Sequence, residues 1–277
     1  MEKKIEQLRD EFKEPHYLIT TSDGKVLFLR EWPSNKTNDF AILIFHGITA
    51  YSGPYNEIAK IFNQNGYIVF GLDLRGHGLS DGNRGDYPSK ERLLKDLEEV
   101  IDFVKSKYSK VILLGHSLGV VTALMAYYKW GDKVDGLILL SAGKAIRPGT
   151  YKKVSLLSKL KILFSSLVKP NKPVLHYYRE EMLGLDDPLF NFDYTLRFMR
   201  IFDANKLDLS KQITLPIIHG VGDNDELFSI DSAKELFDQL SSTDKLFFVM
   251  KGVRHAVGFN EESLEDLFDW LKVKFPI

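Results

Sequence analysis

Seven short runs of β-branched and aliphatic residues, spaced by amphipathic stretches, constrain the fold of this chain more than any other feature. They are KVLFLREW (Lys25–Trp32), FAILIFH (Phe40–His46), YIVFGLD (Tyr67–Asp73), KVILLG (Lys110–Gly115), GLILLSA (Gly136–Ala142), LPIIHG (Leu215–Gly220) and KLFFVM (Lys245–Met250). Most are apolar throughout, the pattern of parallel strands covered on both faces. Between them YNEIAKIFNQNG, SKERLLKDLEEVIDFVKSKY, DSAKELFDQL and ESLEDLFDWLKVKF carry helical periodicity. The second of these follows Pro88 and places Ser89 as an N-cap. An antiparallel hairpin, HYLITTSDGKVLFLREW, turns at Asp23-Gly24 and opens the sheet. The alternation predicts an α/β protein with a doubly wound, mostly parallel sheet.

The rhythm lapses between residues 143 and 210, where the pattern is helical. YKKVSLLSKLKILFSSLVKPNKP mixes Val154, Leu156, Leu157, Leu160, Ile162, Leu163, Leu167 and Val168 with Lys152, Lys153, Lys159, Lys161, Lys169 and Lys172, and Pro170 and Pro173 end it. This block reads as a helical cap inserted after the sixth strand and packed over one edge of the sheet. Residues 1–142 and 211–277 then form the core domain, and 143–210 the cap.

With 277 residues, 44 % of them hydrophobic and 27 % charged, the chain has the make-up of a soluble globular protein. A net charge of −1 offers no field for a polyanion, so no nucleic-acid partner is expected. The absence of cysteine excludes disulfides, thiolate metal sites and a cysteine nucleophile. The opening MEKKIEQLRDEFKE lacks the apolar centre of a signal peptide, and no run approaches the roughly 20 apolar residues of a spanning helix. A cytoplasmic location is the expectation.

Gly115-His116-Ser117-Leu118-Gly119 stands between a strand run and the helical LGVVTALMAYYKW. A serine there either caps the helix or is a nucleophile lifted clear of a sharp strand-to-helix turn. The flanking glycines permit the strained geometry, and the following amide points where negative charge would develop. A serine nucleophile needs a base oriented by a carboxylate, which in this architecture follow in the order Ser, acid, His. Asp223 lies just beyond LPIIHG and His255 just beyond KLFFVM. Asp225 competes within the same loop. The Gly220-x-x-Asp223 spacing, directly off the strand, favours Asp223 and leaves Asp225 as a solvent-facing loop or cap residue. The other six histidines fit less well.

FHGITAYSGPY (Phe45–Tyr55) leaves a strand through a His-Gly turn, where the backbone N–H of Ile48 would oppose that of Leu118 as an oxyanion hole. DLRGHGLSDG (Asp73–Gly82) lacks the ending of a phosphate loop and reads as a structural loop supporting the site.

Taken together, HGITAYSGPYNEIAKIFNQNGYIVFGLDLRGHGLSDGNRG, GHSLGV, GVGDNDELF and GVRHAVGF resemble the α/β-hydrolase superfamily, in its monoacylglycerol lipase/lysophospholipase-like (serine aminopeptidase S33-type) branch. The resemblance implies Ser117 as nucleophile, Asp223 as orienting acid, His255 as base, and Ile48 and Leu118 as oxyanion donors. It also implies a lid over residues 143–210. The chain departs from many such proteins at Val120, where they carry a second glycine.

The expected activity is that of a serine ester hydrolase working through an acyl-enzyme on a small acyl ester or lipid, with no metal or organic cofactor. Peptidase, thioesterase and carbon–carbon bond hydrolase activities use the same triad, and a non-catalytic binding protein could keep the fold. Two readings of the cap stripe stand at this point. It packs on the sheet domain with its lysines in water, or, through Leu157 and Leu160, it lines the acyl-chain entrance while the lysines meet a lipid interface.

Overall fold

The structure, a computed structural model, describes residues 2–36, 38–150, 155–178 and 182–277. It opens with a helix, α1 (Glu2–Asp10), which the charged N-terminal stretch does not advertise. Two residues anchor it. Ile5 is buried, and Arg9 donates to the Leu79 carbonyl (3.2 Å) and to Asp81 (3.0 Å).

The expected hairpin follows as β1 (His16–Thr20) and β2 (Val26–Trp32), with Gly24 in the left-handed conformation at its turn. Then come β3 (Phe40–Phe45), α2 (Asn56–Gln64), β4 (Ile68–Leu72), α3 (Lys90–Lys105), β5 (Lys110–His116), α4 (Leu118–Trp130) and β6 (Gly136–Leu140). Ser89 caps α3 as its position predicts, accepting the Arg92 N–H. After β6 the chain leaves the sheet for α5 (Leu156–Val168), a short antiparallel pair β7 (Leu175–His176) and β8 (Asp193–Tyr194), and α6 (Leu196–Ile201). It returns as β9 (Ile217–Gly222), α7 (Ile230–Gln239), β10 (Lys245–Met250) and α8 (Glu265–Lys274). The pair β7–β8 is a strand element that the helical pattern of this block hides. Lys152, Lys153 and Val154 of the cap stretch lie outside the described residues, as does the side chain of Lys159.

The eight-stranded sheet has the order β1-β2-β4-β3-β5-β6-β9-β10, parallel from β4 to β10 and antiparallel at the hairpin edge. Its strands are apolar throughout because alternate residues serve two cores. Leu43, Phe45, Leu113, Leu137 and Leu139 meet Leu93, Leu97 and Val100 of α3 and Leu124 of α4. Ile42, Ile44, Ile112, Leu114 and Ile138 face the other side, against Ile58 and Phe62 of α2 and Leu267 and Leu271 of α8. Each such fully buried side chain contributes about 1.5–3 kcal/mol. The result is the α/β-hydrolase fold, with its helical insertion after the sixth strand.

The Asp73–Gly82 loop is fastened at each motif position. The Asp73 carboxylate accepts the N–H groups of Ser52 (2.6 Å) and Leu79 (2.8 Å), and a Cβ at Gly78 would fall 2.0 Å from it. Ser80 accepts the Phe28 N–H. Arg75 makes a two-pronged ion pair with Asp96 of α3 (2.7 and 2.9 Å), which also accepts from Tyr87 (2.6 Å) and Arg92 (2.8 Å). Removing Asp96 leaves the buried Arg75 guanidinium with only the half-exposed Asp23 carboxylate (2.9 Å) and takes the acceptor from the buried Tyr87 hydroxyl. Asp96→Ala is therefore expected to cost about 3–5 kcal/mol in denaturant unfolding. A loss below about 1 kcal/mol would show that the network adds little to the fold.

Candidate active site

Ser117 sits at the junction of β5 and α4 with φ 54° and ψ −117°. Such a conformation costs a non-glycine residue about 1–3 kcal/mol and persists where its surroundings over-determine it. Here the Ser117 N–H is held by the Leu140 carbonyl at the end of β6 (2.9 Å). The motif glycines are needed for space. A Cβ on Gly119 would lie 1.9 Å from the Phe45 carbonyl oxygen, and one on Gly115 2.3 Å from that of Gly119. Because α4 abuts β3 and β5 this closely, its first residues stay beside the strand ends. Val120, where a further glycine was the family pattern, is accommodated as a buried residue at the start of α4. The Ser117 side chain does not cap α4, so the helix-cap reading of this serine fails.

Its hydroxyl instead meets His255. Ser117 Oγ lies 3.0 Å from His255 Nε2, and His255 Nδ1 lies 3.0 and 3.2 Å from the carboxylate oxygens of Asp225. A carboxylate only accepts, so Nδ1 carries the proton and donates to Asp225. The neutral ring then accepts at Nε2, and Ser117 donates to it. Asp225 is almost fully buried and also accepts the N–H groups of Leu227 (2.8 Å) and Phe228 (2.9 Å). Burial works against its charge, but the hydrogen bond and charge of His255 and these two amides outweigh it, and its carboxyl is held below the ordinary value. The His255 backbone N–H donates to Glu226 (3.0 Å).

The carboxylate beside His255 is thus Asp225, which corrects the expectation of Asp223. β9 runs two residues further than its apolar run, to Gly222, and the Asp223 N–H still bonds across to Met250 (3.1 Å). Asp223 is the first residue of the turn, exposed, and its side chain accepts the Gly252 N–H (2.8 Å). The turn runs through Asp223 and Asn224, is closed by Asp225 N–H to the Gly222 carbonyl (3.2 Å), and brings Asp225 inward.

The turn after β3 carries Ile48. His46 Nδ1 donates to the Gly47 carbonyl (2.8 Å), while its Nε2 accepts the Leu74 N–H (3.1 Å). In a trans peptide the N–H opposes the C=O, so the Ile48 N–H is directed away from His46. Burial pushes the His46 pKa down to about 4, which keeps this arrangement neutral. Among the hydrogen bonds of the described residues, neither the Ile48 nor the Leu118 N–H is taken up. Both residues line cavities at Ser117.

Two cavities meet at Ser117, Ile48 and Tyr177. The first, of about 140 Å³, is lined by His255, Tyr55, Glu226, Arg254, Phe190 and Phe259, among others. The second, of about 260 Å³, is walled by Leu124, Met199, Phe202, Leu207, Leu209 and Phe228. Leu157 and Leu160 line neither cavity and are 63 % and 56 % exposed, so neither packing on the sheet domain nor lining the acyl-chain entrance describes them. The acyl-entrance role gives way to a helix whose apolar residues face water, because α5 has no sheet beneath it to cover them. Tyr177 joins the site without any sequence motif to single it out, and Tyr55 and Glu226 stand in the FHGITAYSGPY and GVGDNDELF runs, which alone give them no role.

A serine on a strand-to-helix elbow, hydrogen-bonded to a histidine that is held by a buried aspartate, defines a serine-hydrolase-type α/β-hydrolase, and the protein is an enzyme of that class. The model of one family, the serine aminopeptidase S33 family, matches residues 36–263, and the chain belongs to that family. It is 26 % identical to the monoglyceride lipase of Rattus norvegicus over 88 % of this chain and 83 % of the relative. It is 24 % identical to the monoacylglycerol lipase of Mycolicibacterium smegmatis, over 87 % and 90 % of the two chains. Among solved structures, Paleococcus ferrophilus monoacylglycerol lipase shares the fold with a TM-score of 0.72 at 23 % identity, over 90 % of this chain and 99 % of that one.

Because a Cβ at Gly119 meets main chain, Gly119→Ala is expected to cost more than about 4 kcal/mol in denaturant unfolding or to prevent folding. A variant within about 1 kcal/mol of the parent would show that α4 can retreat from β3.

Proposed function

We propose that Ser117, His255 and Asp225 are the nucleophile, base and orienting acid of a carboxylic ester hydrolase, acting on esters with an apolar acyl group. The observation that carries this is the unbroken run of hydrogen bonds from Ser117 Oγ through His255 to Asp225, each about 3.0 Å. The monoglyceride and monoacylglycerol lipases to which the chain is similar supply the substrate class.

His255 Nε2 takes the Ser117 proton as Oγ attacks the acyl carbon, and Asp225 stabilises the imidazolium. The Ile48 and Leu118 N–H groups receive the oxyanion. His255 then protonates the leaving alcohol, an acyl-enzyme remains, and a water activated by His255 releases the acid. The direction of substrate binding follows from that proton. His255 lines the first cavity and is absent from the lining of the second. The leaving alcohol therefore occupies the first, and the acyl chain extends into the apolar second.

A fluorophosphonate should label Ser117, and Ser117→Ala should abolish labelling and lower kcat by roughly 10⁴- to 10⁶-fold. Asp225→Asn should lower kcat by about 10⁴-fold because the imidazole loses its tautomer, whereas Asp223→Asn should stay near the parent. If Asp223→Asn proves the more damaged, the acid is misassigned, and near-normal turnover by Ser117→Ala ends the proposal.

The second part of this reading concerns α5. Leu156, Leu157, Leu160, Leu163, Phe164, Leu167 and Val168 are all exposed, with Lys161, Lys169 and Lys172 along and beyond the helix. Among the described residues no helix is long and apolar enough to cross a membrane. An apolar surface of this kind on a lipid-type hydrolase suits peripheral contact with a lipid interface. Leu157→Asp with Leu160→Asp should lower hydrolysis of a long-chain monoacylglycerol in vesicles about tenfold or more, with little change on a dissolved short p-nitrophenyl ester. Equal loss on both substrates would show that α5 only supports the cap.

A further inference from the structure

The base and the oxyanion turn are joined by a buried relay that the mechanism above does not use. The Gly47 N–H donates to the Tyr55 hydroxyl oxygen (2.8 Å). Tyr55 Oη lies 2.8 Å from His116 Nδ1, and His116 Nε2 lies 2.7 Å from the His255 carbonyl oxygen. Each direction is fixed by the groups at the ends. A backbone N–H only donates and a carbonyl only accepts, so the Tyr55 proton goes to His116 Nδ1 and the His116 proton sits on Nε2. Tyr55 and His116 are both buried, and their polar atoms are used within the relay. His116 also occupies the position before Ser117, at the end of β5.

We propose that His116 and Tyr55 are positioning residues that hold the His255 main chain and the oxyanion turn at a fixed separation on either side of Ser117. This rests on Ser117 and His255 being nucleophile and base. The relay grips His255 at its carbonyl while Glu226 grips its N–H, so both backbone groups of the base are held and its ring has little freedom left. At the other end it grips the N–H of Gly47, whose carbonyl His46 already holds. Burial lowers the His116 pKa to about 4, so the neutral form that the relay requires persists at neutral pH. A displacement of about 1 Å between base and oxyanion donors can cost up to about a hundredfold in rate, which is the size of effect such a strut can carry.

The test has three parts. Nitrogen-15 NMR of the histidines in the resting protein should show His116 protonated at Nε2 alone across the neutral range, and protonation at Nδ1 would overturn the relay. On p-nitrophenyl acetate, His116→Phe should lower kcat about 10- to 100-fold with KM within about twofold. His116→Gln places an acceptor and a donor side by side and should regain most of that loss. Unchanged kcat in His116→Phe overturns the proposal. So does His116→Gln falling as far as His116→Phe with the same drop in melting temperature, since packing alone would then account for both. Fluorophosphonate labelling of the parent at Ser117 is scored separately, so failure of the triad is distinguished from failure of the relay.

Discussion

A buried carboxylate that can only accept hydrogen bonds fixes the chemical state of this site. Asp225 takes two backbone N–H groups and the Nδ1 proton of His255. With that proton committed, the other ring nitrogen is an acceptor, and the Ser117 hydroxyl aims at it. Without a buried acceptor at Asp225, His255 could hold its proton on either nitrogen, and Ser117 would lose its directed partner. The sheet makes this possible because β5, β9 and β10 are parallel, so their carboxyl ends deliver Ser117, Asp225 and His255 to one edge.

The α/β alternation was legible because sheet strands buried on both faces need continuous apolar runs, and this chain spells them out. The Ser117 elbow was legible for a related reason. Gly115 and Gly119 are forced by main-chain contacts, and a sequence records such contacts as glycine. The carboxylate beside His255 was not, because the choice between Asp223 and Asp225 turns on where β9 stops. Gly220, Val221 and Gly222 look like the start of a loop, yet all three pair with β10. That two-residue extension delays the turn, so Asp223 becomes its exposed first residue and Asp225 the buried residue that closes it, and no local residue preference announces this.

What surrounds the cap helix was not legible for a different physical reason. A helical stripe of leucines usually means a buried face, and α5 does form, with Ser155 as its N-cap. But apolar spacing says only that a face exists and cannot say what covers it. The N-terminal helix shows the converse. α1 is charged on most positions and is held by a few contacts, the buried Ile5 and the Arg9–Asp81 pair among them, which no periodicity reveals. The pair β7–β8 is likewise too short to leave a pattern.

The cap is also asymmetric in how it is held. Its second half is bound to the site from several directions. Asn191 N–H reaches the Thr49 carbonyl (3.0 Å), Tyr51 donates to Asp187 (2.8 Å), and Arg197 pairs with Asp86. The Tyr194 hydroxyl donates to the Ile48 carbonyl, on the residue proposed as an oxyanion donor. Rigid attachment there suits a wall that must keep its distance from the reacting atoms. α5 takes no part in these hydrogen bonds, packs on α6, and turns most of its apolar residues to water. Under the proposed lipid contact, a helix that lines neither cavity at Ser117 exchanges water for lipid without being a wall of the site. On the proposed reading, the segment that meets an interface and the segment that shapes the site are therefore different pieces of one insertion.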